Sequence, residues 1–249
     1  MWRWQLWAGA AGEHCGGLVC FPLDVTDTEY PALVALLDAS EQQRAARFRD
    51  PRHARHFIVA HARLRQLLAQ ELRQEAKALR FAGGTHGKPE LAAGGADALQ
   101  FNLSHSGGLG LVGWSRDRAI GVDIERWRDM HDELALVRRY FSPVEVAAYE
   151  SLPTALRREG FFNAWTRKEA YVKAVGRGLT LPLASFDVSL ESGPAARLLR
   201  AAVIDGDSRS WCLAAPTGLP DASIAVVLQA DILKISSQVE TVRAIPISG

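Results

Sequence analysis

The most informative stretch of the chain is Phe161-Phe162-Asn163-Ala164-Trp165-Thr166-Arg167-Lys168-Glu169-Ala170-Tyr171-Val172-Lys173. Trp165, Glu169 and Lys173 stand four residues apart, so a helix would place them on one face. The aromatic residues around them indicate substantial burial, where charged groups need partners. The helical pattern covers residues 156–175 and ends at Gly176, which predicts a long helix. Glu169 and Lys173 are either a surface ion pair or part of a site that binds phosphate.

A second stretch, Gly121-Val122-Asp123-Ile124-Glu125, alternates apolar and acidic residues in the way a strand does. Asp123 and Glu125 would then project from one face, with the apolar residues directed into the core. Two neighbouring carboxylates repel each other unless a cation lies between them, and such oxygen ligands suit Mg²⁺. The alternative is a solvated strand face on which Arg126 or Arg128 pairs with the acids.

A third stretch, Phe101-Asn102-Leu103-Ser104-His105-Ser106-Gly107-Gly108, is predicted to be the end of a strand followed by a turn. The two glycines allow a ligand to approach the backbone closely. The hydroxyls of Ser104 and Ser106, the imidazole of His105 and the exposed amides could together hold a phosphate. The alternative is a histidine with a purely structural role.

Residues 44–65 carry seven arginines and three histidines but only one acid, Asp50. Most arginines on an amphipathic helix face water, yet this local excess in a nearly neutral chain indicates an anionic ligand or partner. Lys88 lies in the turn Gly87-Lys88-Pro89, where it would offer a point charge to a phosphate.

The composition limits the possible classes of protein. The chain has 249 residues, a formal net charge of +1 and 48% hydrophobic residues, which is typical of a globular protein of one or two domains. The low net charge argues against nucleic acid or a membrane as partner. No apolar run is long enough to cross a bilayer, and the first seven residues do not resemble a signal peptide. The odd number of cysteines, three, without metal-like spacing, favours a reducing, cytoplasmic compartment.

The order of elements predicts an α+β fold, because both halves place helices before groups of short strands. We expect a division into residues 1–120 and 121–249. Helix starts are predicted at Asp50-Pro51 and Ser142-Pro143, and a capping box at Ser40 with Gln43. A helix is expected over residues 29–38, and the polar tail after residue 231 is expected to be loosely ordered.

In combination, these motifs resemble those of the 4′-phosphopantetheinyl transferases of the surfactin-synthetase class. The matching elements follow the family's order and spacing, and the similarity runs from about Ser40 to Leu190. The elements are residues 87–89, 101–106, 121–125 and 165–173, followed by Gly176-Arg177-Gly178-Leu179.

The resemblance implies two similar α/β subdomains related by a pseudo-twofold axis, with coenzyme A in the cleft between them. The first subdomain would contact the nucleotide, and the second would carry the metal and the catalytic residues. It also implies a monomer that moves the phosphopantetheine arm of coenzyme A onto a serine of an apo acyl carrier protein or peptidyl carrier domain. Adenosine 3′,5′-bisphosphate would be released.

The resemblance assigns roles to individual residues. Glu169 would accept the proton of the carrier serine, and Lys173 would stabilise the leaving phosphate. Glu41 and His56 depart from the basic residues that many relatives carry, which affects only the pocket for the 3′-phosphate. The implied ligands of Mg²⁺ are Asp123, Glu125 and Glu169, and the implied contacts of coenzyme A are Arg44, Arg55, Lys88, Ser104, His105, Asp123 and Lys173.

Two other functions use the same residues. A Mg²⁺-dependent nuclease would use the carboxylates, with the arginines gripping nucleic acid, but the balanced charge and the Ser104-His105 turn disfavour it. An inactive module that only binds coenzyme A is disfavoured by the intact set of carboxylates and Lys173.

Overall fold

The computed structural model describes residues 1–8, 13–83, 89–92, 99–203, 210–230 and 233–238. Within these ranges the protein consists of six α-helices, twelve strands and short 3₁₀ turns. The predicted α+β class is therefore confirmed. No helix in the described ranges combines the length and the apolar character that a membrane span requires.

The helices and strands have the following bounds. The helices are α1 Tyr30–Val34, α2 Ala39–Ala45, α3 Pro51–Leu72, α4 Glu133–Tyr140, α5 Pro143–Ser151 and α6 Thr154–Val175. The first six strands are β1 Trp2–Ala8, β2 Glu13–Pro22, β3 Phe81–Gly83, β4 Pro89–Leu91, β5 Leu99–Ser106 and β6 Leu109–Arg116. The others are β7 Ile120–Arg126, β8 Asp187–Val188, β9 Leu198–Arg200, β10 Trp211–Ala214, β11 Ala222–Gln229 and β12 Leu233–Gln238.

The larger sheet has five antiparallel strands in the order β12-β1-β2-β6-β5. Alternate residues of its strands are buried on opposite faces, as the period of a strand requires. Val19 and Val112 pack with the helix α3 residues Val59 and Leu64 in one core cluster. The long helix α3 therefore covers the outer face of this sheet.

The smaller sheet has three antiparallel strands in the order β10-β11-β7. Val122 and Val226 on one of its faces share a core cluster with Leu18 and Leu111 of the larger sheet. On the opposite face, Val227 packs in the cluster that includes residues of helix α6. The layers thus follow the order helix, five-stranded sheet, three-stranded sheet, helix. A pseudo-twofold relation between the two halves stays a prediction.

Two predicted helix starts are confirmed, and one is wrong. The Asp50 and Ser142 side chains cap helices α3 and α5, each ahead of a proline. The N-cap of helix α2, however, lies two residues before the predicted cap at Ser40: it is Asp38, which pairs with Glu41 in the capping box. The reason is that the Asp38 carboxylate accepts two backbone N–H groups, those of Ser40 and Glu41. The helix expected over residues 29–38 is shorter and covers only Tyr30–Val34.

Residues 233–238, which belong to the tail that was expected to be loosely ordered, form a strand. Strand β12 pairs antiparallel with β1, from Arg3–Gln238 to Ala8–Leu233. This pairing satisfies backbone groups that β1 would otherwise expose at a sheet edge. A late segment of the chain therefore joins the first sheet, and a division of the chain at residue 120 stays a prediction.

Candidate active site

Strand β7 presents two carboxylates on one face, as its alternating sequence predicts. Val122 and Ile124 are buried between the two sheets. Asp123 and Glu125 therefore point to the opposite side, toward helix α6. The Asp123 side chain is buried, with 6% of its surface exposed, whereas Glu125 retains 21%.

Helix α6 lies unusually close to β7 because Gly121 has no side chain. A Cβ atom at Gly121 would lie 2.2 Å from the carbonyl oxygen of Ala170 and from the backbone nitrogen of Ala174. This approach brings the Lys173 Nζ to 2.6 Å from Asp123 Oδ1. Residues that are 50 positions apart in the sequence thus form one partly buried ion pair.

Ser104, at the end of β5, completes this group. Its hydroxyl donates to Asp123 Oδ1 at 2.7 Å and accepts a hydrogen bond of 3.0 Å from Lys173 Nζ. The three elements β5, β7 and α6 therefore meet at one aspartate. The three sequence motifs that contain these residues are therefore in contact with one another.

The carboxylates influence each other electrostatically. Burial raises the pKa of Glu169, and the negative charges of Asp123 and Glu125 raise it further, while Lys173 opposes them. Burial and the charge of Asp123 likewise raise the pKa of Glu125, against the hydrogen bond from Ser106. The three carboxylates therefore disfavour one another's ionised form.

The carboxylates of this site include one oxygen that is suited to bind a divalent cation. Asp123 Oδ2 is buried and has no hydrogen-bond partner, which is costly for an ionised oxygen unless a cation binds it. In the described ranges, no group of three or more His, Cys, Asp and Glu side chains is already gathered closely enough to hold a metal ion. The three carboxylates, one of which has a buried oxygen without a hydrogen-bond partner, are suitable ligands for a hard cation. Their positions in the structure do not form a complete coordination shell.

His105 lies one residue after Ser104 and points to the opposite face of β5, toward the helices of the first half. Its side chain keeps contact with solvent, yet desolvation by the surrounding protein, followed by the charge of Lys173, lowers its pKa. The imidazole therefore loses its proton more readily than that of an exposed histidine. Ser104 and His105 consequently face different surroundings although they are neighbours in the sequence.

The residues implied for the nucleotide are separate from this cluster. Arg44 is exposed, with its guanidinium carbon 5.2 Å from the centre of the Phe57 ring. Arg55 is tied to the protein itself, because it donates to the carbonyl of Val25 and to Asp27, each at 2.9 Å. Lys88 lies outside the described residues.

The two departures from the family pattern have structural partners. Glu41 accepts hydrogen bonds from the buried Arg65 at 2.8 Å and pairs with His61 at 2.9 Å. His56 pairs with Asp24 at 2.9 Å. Glu41 therefore serves the packing of α2 on α3.

Two polar residues of β5 make contacts with β7 that the sequence motifs did not predict. Asn102 Oδ1 accepts a hydrogen bond of 2.8 Å from the backbone N–H of Val122. The Ser106 hydroxyl donates to Glu125 Oε2 at 2.7 Å. Asn102, Ser104 and Ser106 occupy alternate positions of β5, which indicates a polar strand face. The sequence of β5 does not show which strand this face contacts.

Comparisons with known proteins cover both halves of the chain. A family model described as "4′-phosphopantetheinyl transferase superfamily" matches residues 119–227, and one described as "4′-phosphopantetheinyl transferase, N-terminal" matches residues 24–113. The 4′-phosphopantetheinyl transferase HetI of Nostoc is 37% identical over 178 residues, which are 71% of this chain and 75% of the relative.

Two further comparisons cover less of the proteins concerned. A protein of Synechocystis, provisionally named a 4′-phosphopantetheinyl transferase, is 38% identical over 60% of this chain and 61% of its own length. The solved holo-[acyl-carrier-protein] synthase of Thermotoga maritima has 19% identity and a TM-score of 0.37, over 45% of this chain and 62% of its own. By its match to the Nostoc relative and to the two family models, the chain belongs to the 4′-phosphopantetheinyl transferase family.

Proposed function

We propose that the protein transfers the 4′-phosphopantetheine group of coenzyme A to a serine of an apo acyl carrier protein or peptidyl carrier domain. The observation that carries this proposal is the cluster at Asp123. One carboxylate oxygen is held by Lys173 and Ser104, and the other is buried without a partner. The divalent counter-ion of a diphosphate would supply the positive charge that this oxygen lacks.

The chemistry asks the protein for orientation and for stabilisation of charge. The oxygen of the carrier serine forms a bond to the phosphorus of the phosphopantetheine group, and the bond to adenosine 3′,5′-bisphosphate breaks. Glu169 accepts the serine proton, directly or through a water molecule. Its raised pKa makes it a stronger base than an exposed glutamate.

Lys173 would stabilise the charge that develops on the leaving phosphate. It lies one helical turn after Glu169 and already holds Asp123 at 2.6 Å. An ammonium fixed in a partly buried site stabilises such charge more strongly than one in water. Lys173 would also be able to protonate the leaving oxygen.

Asp123, Glu125 and Glu169 are the residues that would hold Mg²⁺. When bound, the ion would neutralise negative charge on the diphosphate oxygens. The buried, unpartnered Asp123 Oδ2 supports this assignment.

Coenzyme A would extend from this cluster toward the first half of the chain. Ser104 and His105 would contact the diphosphate, and Lys88, Arg44 and Arg55 would contact the nucleotide. We assign nucleotide contacts to residues 1–120 and catalysis to residues 121–249. Because one chain supplies both parts, we propose a monomer, acting in the cytoplasm and without nucleic acid.

The test is incubation with coenzyme A, Mg²⁺ and a panel of apo-carriers, followed by intact-mass measurement of each carrier. Wild-type protein should add one phosphopantetheine group. Glu169→Gln should lower the single-turnover rate by at least about 100-fold, because it removes the base but keeps the size of the side chain. Asp123→Asn should lower the rate as well, since it removes the charge beside Lys173.

The matched control is Glu150→Gln, which removes a surface carboxylate that pairs with Arg138. This variant should transfer at the wild-type rate. No mass gain on any carrier with wild-type protein would contradict the proposed function. A Glu169→Gln variant as fast as the wild type would contradict the assignment of the base.

A further inference from the structure

Strands β5 and β7 are the facing edges of two different sheets. Side chains of β5 join them: Asn102 Oδ1 accepts from the N–H of Val122, and the Ser106 oxygen accepts from the N–H of Arg126 at 3.2 Å. Both contacts span 20 residues, so the two strands run in the same direction with one constant offset. These side chains therefore satisfy edge donors and also set the register of β7 against β5.

The direction of the Ser106 hydrogen bonds is fixed by the chemistry of its partners. A backbone N–H can only donate, so the Ser106 oxygen must accept from Arg126. The single hydroxyl hydrogen is then available for Glu125 Oε2, which lies at 2.7 Å. Ser106 thus connects the carboxylate of Glu125 to the backbone of the next residue.

Ser104 makes the equivalent contact two residues earlier. Its hydroxyl donates to one oxygen of Asp123 and leaves the other, Oδ2, without a partner. Each acidic residue of β7 therefore has one carboxylate oxygen held by a hydroxyl of β5. This arrangement orients both carboxylates before any ligand binds.

Gly107 keeps Ser106 in place. Its backbone has a φ of +53°, and a Cβ atom there would lie 2.4 Å from Cγ of Arg126. The turn that follows β5 consequently rests against the side chain at the end of β7. Ser106 has little freedom to move away from Glu125.

We propose that Ser106 is a positioning residue that aims the Glu125 carboxylate at a divalent cation in this site. The inference rests on the proposed function, because it assumes that Glu125 is a metal ligand. It adds a residue that touches neither the metal nor coenzyme A but controls the affinity for the metal.

The experiment measures Mn²⁺ binding to the full-length protein by electron paramagnetic resonance, with saturating coenzyme A. Ser106→Ala should weaken Mn²⁺ binding by about 10-fold or more, the usual effect of removing a hydrogen bond to a metal ligand. Ser106→Thr retains the hydroxyl and should bind within a factor of about two of the wild type. At saturating Mg²⁺, the KM for coenzyme A should not change in either variant.

Two further variants separate the hydrogen bond from packing. Ser115→Ala removes a buried hydroxyl on β6 that donates to the Cys15 carbonyl at 3.1 Å, and it should bind Mn²⁺ like the wild type. Ser106→Cys keeps nearly the same size but donates weakly, so it should behave like Ser106→Ala.

The outcomes distinguish this inference from the proposed function. If Ser106→Ala or Ser106→Cys binds Mn²⁺ as tightly as the wild type and transfers phosphopantetheine normally, only the role of Ser106 is overturned. An equal loss in Ser106→Ala and Ser115→Ala would also overturn it, since a general packing effect would then explain the result. A wild-type protein that neither binds Mn²⁺ nor transfers would overturn the proposed function itself.

Discussion

Substitution of Gly121 by alanine should disable the site without touching any of its functional groups. The new Cβ atom would lie 2.2 Å from two backbone atoms of α6, the oxygen of Ala170 and the nitrogen of Ala174. Backbone atoms inside a helix cannot move individually, because each belongs to the hydrogen-bonded ladder. The whole helix must therefore shift away from β7.

The size of the shift follows from the geometry. To restore an ordinary contact of 3.4 Å, α6 must retreat by about 1.2 Å. If Lys173 moves with the helix, its distance to Asp123 Oδ1 grows from 2.6 Å to roughly 3.8 Å, beyond hydrogen-bond range. Overpacking of this kind costs about 1–3 kcal/mol of folding free energy. A misplacement of about 1 Å at a catalytic group lowers a rate by about 100-fold.

Two measurements check this reasoning. Urea unfolding should show a loss of about 1–3 kcal/mol for Gly121→Ala, and single-turnover transfer to a carrier should slow by about 100-fold. Gly83→Ala is the control, because a Cβ atom at Gly83 would meet no atom of the described residues within 4 Å. A Gly121→Ala variant with wild-type stability and rate would refute the claim that this glycine sets the distance between α6 and β7.

Two further predictions concern buried charges outside the site. The Lys168 ammonium is fully buried and pairs with Glu145 at 2.7 Å. Lys168→Met should therefore lower the free energy of unfolding by about 3–5 kcal/mol in urea titrations. A loss below about 1 kcal/mol would contradict a role for this pair in stability. Burial alone would raise the pKa of Glu41, but hydrogen bonds from His61 and the Asp38 N–H, and the charge of Arg65, lower it below its ordinary 4.5. A lowered carboxyl pKa adds stability above the unfolded-state value, and this stability disappears as the pH falls through the folded-state value. The stability of the wild type should therefore drop more steeply below pH 4.5 than that of Glu41→Gln, and parallel pH profiles in urea unfolding would argue against this account.

Several features of the fold are local and could be predicted from the sequence. Asp50-Pro51 and Ser142-Pro143 start helices because an oxygen-bearing cap and a proline satisfy or remove the first N–H groups. Helix α6 ends at Gly176, whose φ of +80° favours glycine. Where two caps competed within three residues, at Asp38 and Ser40, the local pattern predicted the wrong one.

The pairing of distant segments could not be predicted from these local rules. Strand β12 joins β1 across more than 200 residues, and nothing in its polar sequence indicates that partner. Sheet edges are completed by whichever strand the rest of the fold brings near, so the outcome depends on the whole chain. The contact of Ser106 with Glu125 has the same origin.

The sequence by itself determined which chemical groups the protein possesses and which of them share a face. The alternation of β7 places Asp123 and Glu125 together, and the helical period places Glu169 and Lys173 together. Only the tertiary structure decided that these two faces meet. They meet because Gly121 lacks a side chain and α6 can lie against β7, which brings Lys173 to 2.6 Å from Asp123 and leaves one aspartate oxygen buried for a ligand.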